Sequence, residues 1–220
     1  MENKFFEELS RHLREGGIES SNVEDKRLEV FLHGRPVLFV SPGHDAFLLP
    51  AGSQNQKASE LYHRVAEMAD EVYEYVEAVQ NAPLLRASSL KDEFHLLADF
   101  GGAVLAGIEL PKEWGYQFNT WIWNYDRTAL LYGHNYMGDF QSAKQDFAVR
   151  SGLISKAQLF SPEELTELYR GTDYLLDEGP ELEDVQLKAL QTARTKIEYT
   201  VPDLTDRLEQ GQEQEPQMDM

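Results

Sequence analysis

The sequence predicts an α+β fold: a meandering antiparallel sheet with packed helices and a helical C-terminal segment. Three stretches predict it. Phe94 to Tyr136 holds all three tryptophans and little charge, and turn residues break it into four strand-like runs. Ser59 to Gln80 repeats apolar residues at i, i+3 and i+4, the mark of a helix with one buried face. Ser161-Pro162-Glu163-Glu164 combines a capping serine, a first-turn proline and a glutamate three residues after the cap, so a helix starts there.

In chain order, Lys4 to Glu15 sets Phe5, Phe6, Leu9 and Leu13 on one helical face, and Gly16-Gly17 ends it. Ile18 to Asp25 is polar and reads as a loop. Lys26 to His33 alternates, with Leu28, Val30 and Leu32 on one side. Followed by the turn His33-Gly34-Arg35-Pro36 and the apolar run Val37 to Val40, it predicts a hairpin. Ser41 to Lys57 is a loop rich in Pro, Gly, Ser and Asn, a length that often goes with function or mobility. In the long helix, Leu61, Val65, Met68, Val72, Val76 and Val79 face inward.

In the central stretch, Phe94 to Phe100 and Ala103 to Leu110 flank Gly101-Gly102, a two-residue hairpin signal because both central positions need positive φ. Pro111 to Gly115 turns the chain into Tyr116 to Tyr125. Asp126-Arg127 is the next turn, and Ala129 to Tyr136 is the fourth strand. Tyr116, Phe118, Thr120 and Ile122 share one face, and Trp121, Trp123 and Tyr125 the other. A one-sided sheet would carry a polar outer face. Rings on both sides therefore predict that helices or a partner cover the second face. Gly138 to Arg150 and Glu181 to Tyr199 complete the helices. The predicted division is an α+β domain over 1–157, a helical segment over 158–209, and a disordered acidic tail over 210–220.

Composition narrows the function. The chain has 220 residues, 41% hydrophobic, enough for a packed core. It has no cysteine, so disulfide and thiolate chemistry are excluded. No apolar run approaches the roughly 18 residues of a membrane span, and the N-terminus lacks the long apolar core of a signal peptide. A cytoplasmic protein is expected, with no membrane contact. The net charge of −19 argues against direct nucleic-acid binding, which needs Lys and Arg for the phosphates. Residues 161–220 alone carry −11 of it.

No phosphate-binding loop, nucleophile elbow or zinc-helix motif occurs, and no cofactor or metal is expected. Four groupings remain as candidates. His95 and Asp99, four apart on a strand, would share a face as an acid–base pair. Trp121, Trp123 and Tyr125 form an aromatic face suited to core or to a protein interface. Asp126, Arg127, His134 and Asn135 lie close to it in sequence and suggest a polar pocket beside the rings. Glu60, Glu67, Glu71 and Glu74 make one acidic row, and Glu163, Glu164 and Glu167 begin another. Rows of carboxylates solvate a surface, or imitate a phosphate backbone.

The segment ELPKEWGYQFNTWIWNYDRTALLYGHNY, with AKQDFAVRSGLI and LFSPEELTELYR downstream, resembles an uncharacterised family of accessory proteins carried on conjugative elements of Gram-positive anaerobic bacteria. The resemblance spans residues 94–208. It implies a mobile-element setting, where anti-restriction proteins are often acidic, and assigns no catalytic residue. Three functions follow as expectations. The first is a non-enzymatic accessory protein that binds another protein. The second is an acidic DNA mimic that inhibits a DNA-binding enzyme. The third is a small-ligand or catalytic domain around Tyr125–His134.

Overall fold

A computed structural model describes residues 2–24, 26–53, 55–111 and 113–212. The fold is α+β, in two compact units, Met1–Ile154 and Ser155–Met220. Of the disordered acidic tail expected over 210–220, residues 210–212 continue a helix that ends at Gln212. The remainder of that tail lies outside the described residues.

The N-terminal unit opens with helix α1 (Glu2–Glu15), whose Phe5, Phe6, Leu9 and Leu13 are buried as their spacing requires. A four-stranded antiparallel meander follows: β1 (Ser20–Val23), β2 (Arg27–Leu32), β3 (Arg35–Val40) and β4 (Ala46–Leu48). The predicted hairpin is its β2–β3 centre. The edges β1 and β4 fall where loops were expected, since they are held by backbone pairing (Ser20 with Val30, Phe39 with Phe47) rather than by a hydrophobic pattern.

Helix α2 (Gln56–Asn81) is capped by the Asn55 side chain, which accepts from the Lys57 N–H. It contacts strands of both sheets, so one apolar stripe serves two layers. At its centre Tyr75 is fully buried, with Tyr116 and Phe118 each 5.3 Å away and Phe140 at 5.8 Å.

The second sheet is the predicted four-strand meander: β5 (His95–Phe100), β6 (Ala103–Glu109), β7 (Tyr116–Trp123) and β8 (Leu130–Met137). Ala103, Leu105 and Phe118 face α2 and α3 (Phe140–Arg150). Gly107 lets α2 approach on this face: a Cβ there would lie 2.7 Å from Val79 Cγ2. The opposite face is covered, as the rings on it demand, but not by a helix. Residues 82–94 fold across it and bury Leu85 and Phe94 against Val104, Ala106 and Leu130. Leu84 bridges to His95, which extends the sheet past β5.

The C-terminal unit contains a 3-10 turn (Lys156–Gln158) and helices α4 (Pro162–Asp177), α5 (Asp184–Thr200) and α6 (Leu204–Gln212). The predicted capping box is present: Ser161 Oγ accepts from the Glu164 N–H at 3.2 Å, and the Glu164 carboxylate accepts from the Ser161 N–H at 2.8 Å. Its core is small. Tyr169, Ile197, Val201 and Leu204 are the buried apolar residues among those described.

Candidate functional site

The predicted site residues do not form one cluster. Two β-bulges separate them. A bulge inserts one unpaired residue, so residues beyond it exchange faces. Between β5 and β6 the register shifts at Leu96/Ala98. His95 pairs with Gly107 on the α2 side, while Asp99 pairs with Val104 on the other. The expected His95–Asp99 pair is therefore corrected: the two lie on opposite faces. His95 Nδ1 bonds the Ala82 carbonyl at 2.7 Å.

Asp99 belongs instead to the tryptophan face. Its carboxylate accepts from Trp123 Nε1 at 3.0 Å and from Arg127, whose guanidinium stacks 5.2 Å over the Trp123 ring. Trp121 meets Phe94 edge to face at 5.1 Å. Both indoles are half-buried. Tyr125 is fully exposed, and Asp126 is exposed in the turn beside it. The turn is organised by Asn124, whose Oδ1 accepts from the Thr128 N–H at 2.8 Å. This explains the aromatic face as packing against residues 82–94, finished by a surface lid of Arg127 and Asp99.

The second bulge lies between β7 and β8. Thr120 pairs with His134 but Ile122 pairs with Leu131, so Tyr132 and Gly133 together oppose Trp121. Tyr132 takes a left-handed conformation, φ 54°. His134 consequently sits on the α2–α3 side, away from Arg127, and Asn135 returns to the tryptophan side opposite Asn119. The expected pocket joining Arg127, Asp126 and His134 is thus divided between two faces.

His134 meets residues that sequence reasoning missed. Its Nδ1 lies 3.1 Å from Asp146 of α3. The same carboxylate accepts from Thr120 Oγ1 and stands 3.6 Å from Arg150. Burial and the Asp146 charge together push the Tyr136 phenol up. Arg150 donates to Thr120 Oγ1 at 2.8 Å and to the Tyr132 carbonyl. All of this ties α3 to the bulge. The spacing of Asp146 and Arg150, four apart on a helix, was the available signal.

A second missed network is buried. Glu8 is 5% exposed and receives Arg11 Nη2 at 2.6 Å, Arg11 Nε at 3.0 Å and the Tyr75 hydroxyl at 2.8 Å. Burial alone would push its carboxyl up. Hydrogen bonds with Arg11, His12 and Tyr75 outweigh that and hold it at about 2. The network joins α1 to α2. Its signal was the acid and its partners at i, i+3 and i+4 on the inward side of α1.

The acidic rows are largely engaged. Glu74 pairs with Lys144 at 2.8 Å, Glu163 with Arg207 at 3.0 Å, and Glu167 with Arg170 at 3.5 Å. Glu164 closes a cap, and Glu60 accepts from Gln56 at 3.2 Å. Glu71 is half-buried and its carboxyl is pushed up by burial. Glu67 is exposed. Among the described residues there is no cluster of His, Asp and Glu able to hold a metal, and no helix long and apolar enough to cross a membrane.

The C-terminal unit exposes large apolar side chains on two of its helices. Leu168, Tyr174, Leu175, Val185, Leu187 and Tyr199 project outward from α4 and α5, with Val185 at 78% and Tyr199 at 92% exposure. Its sequence holds 16 acidic and 6 basic residues, a net of −10. Compared with family models, with curated proteins and with solved structures, the chain matches none.

Proposed function

We propose that this chain is a non-enzymatic accessory protein of a mobile element, acting in the cytoplasm by binding another protein, and that the C-terminal unit makes the contact. One observation carries the reading. That unit exposes six large apolar side chains on α4 and α5 and buries four apolar residues. Large apolar anchors in a strongly acidic surround suit a partner that is basic with apolar recesses: the anchors supply affinity, and the charge supplies steering and orientation. The mobile-element and cytoplasmic parts rest on the sequence resemblance and the cysteine-free composition.

Phosphate mimicry is the weaker reading. It asks for free carboxylates in one row, and Glu74, Glu163 and Glu167 each have a cation at hand. The test is affinity capture with the full chain from cells that carry it, beside a variant with Leu168→Ser, Tyr174→Ser and Val185→Ser. The wild type is expected to retain a basic protein that the variant loses, with retention falling as salt rises. Equal recovery by both chains would refute the assignment.

A further inference from the structure

We infer that β8 is an interface between two copies of this chain, paired antiparallel with Asn135 facing Asn135 on the two-fold axis. Among the described residues, β7 is the one strand that pairs with β8. The other edge of the sheet, β5, is covered by residues 83–85. The start of β8 is closed as well: the Leu130 N–H donates to Ser89 Oγ at 2.9 Å, and the Thr128 carbonyl accepts from the Ser88 N–H at 2.9 Å. Among the described residues, no strand or loop bond covers the stretch from Gly133 to Met137 in this way.

An open edge is a template for another strand, and proteins blunt such edges with charge or proline. Leu130 to Met137, LLYGHNYM, contains neither, and its one bulge lies at Tyr132–Gly133, so that Asn135 to Met137 keeps a regular ladder. In a chain of net charge −19, a self-contact must use a stretch where like charges do not meet, and this strand is one.

The register follows from the ladder. The Gly138 N–H donates to the Tyr116 carbonyl at 2.9 Å, so Gly138, Tyr136 and His134 turn their backbone groups toward β7. By alternation, Gly133, Asn135 and Met137 turn theirs outward. Pairing Asn135 with its own copy matches Gly133 with Met137 on both sides. It uses all three outward positions, for about six new backbone hydrogen bonds. Shifting the centre by one residue in either direction leaves one of the three without an outward-facing mate.

The side chains fit the same register. The place a side chain at Gly133 would take is occupied by the chain's own Trp121: a Cβ there would lie 2.5 Å from the indole Nε1. The exposed Met137 of the second copy would lie across Gly133, with its thioether against that indole. On the other face His134 would stand beside the second copy's Tyr136. The strained Tyr132, held by Arg150, keeps the outer half of β8 in position for this pairing.

Sedimentation of the full chain over a concentration series tests the proposal. A concentration-dependent dimer is expected, tightening as salt screens the net charge. That is the opposite salt response to the partner contact of the C-terminal unit, and the two readings stand or fall separately. Asn135→Asp places two carboxylates face to face on the axis, and Asn135→Lys two ammonium groups. Each is expected to weaken dimerisation by roughly fivefold or more, and an equimolar mixture of the two is expected to restore it as a heterodimer. The Asn135 and Met137 amides should slow their hydrogen exchange as concentration rises, while that of Tyr136, already bonded to β7, holds steady. A chain that stays monomeric up to ~1 mM overturns the proposal. So does a dimer indifferent to both substitutions, or one that the mixture fails to restore.

Discussion

The two units of this chain solve the same problem in opposite ways. The N-terminal unit builds a broad apolar core. α1, α2, α3 and both sheets share one continuous core, and even an ion pair, Glu8–Arg11, is drawn inside and fully hydrogen-bonded. The C-terminal unit keeps its ion pairs on the surface, as in Arg194–Asp173 at 2.8 Å and Arg207–Asp203 at 2.9 Å, and leaves much of its apolar content exposed. Surface ion pairs contribute about 0–1 kcal/mol each, so they do not make up for a thin core. The contrast teaches that the first unit has a core broad enough to hold its fold, whereas the second buries few apolar residues for the apolar surface it shows.

The largest expected effect lies in the buried pair. Glu8→Ala leaves the Arg11 guanidinium without its partner and should cost about 3–5 kcal/mol of stability in the N-terminal unit, read by urea unfolding. The same network sets a pH dependence. The Glu8 carboxyl titrates at about 2 in the folded chain against 4.5 ordinarily. Its contribution is therefore full above pH 4.5 and lost as pH falls toward 2, about 3 kcal/mol in all. Unfolding free energies of wild type and Glu8→Gln should converge across that window; parallel curves would remove Glu8 from the core account.

A smaller loss, about 1–3 kcal/mol, is expected for Gly107→Ala, because the new methyl group meets Val79 and Phe118 where α2 rests on the sheet. The smallest belongs to the other unit. Leu168→Ser and Val185→Ser should leave stability within about 0.5 kcal/mol, since both side chains are exposed in the free chain. A loss as large as that of a core residue would show that these side chains are already packed.

Much of this was legible in the sequence. The four strands of the second sheet and the Ser161 cap lay within a residue or two of their predicted places, and α2 began three residues before its predicted start, because periodicity and turn chemistry act locally. The strands β1 and β4 were not legible: SSNV and AFL carry no alternation, and only pairing with β2 and β3 makes them strands. The candidate site failed for one physical reason. Strict alternation put His95 with Asp99, and closeness in sequence put His134 beside the tryptophan face. Two bulges, at Leu96/Ala98 and Thr120/Ile122, each reversed an assignment. A bulge depends on the partner strand, which no local pattern contains.

Hydrogen exchange of the free full chain tests the contrast between the units most directly. Amides of α2, β6 and β7 should exchange only through global opening, while those of α4 and α5 exchange orders of magnitude faster through local opening of a small core. If α4 and α5 proved as protected as β6, the C-terminal unit would already be complete, and the case for a partner on its apolar surface would fall.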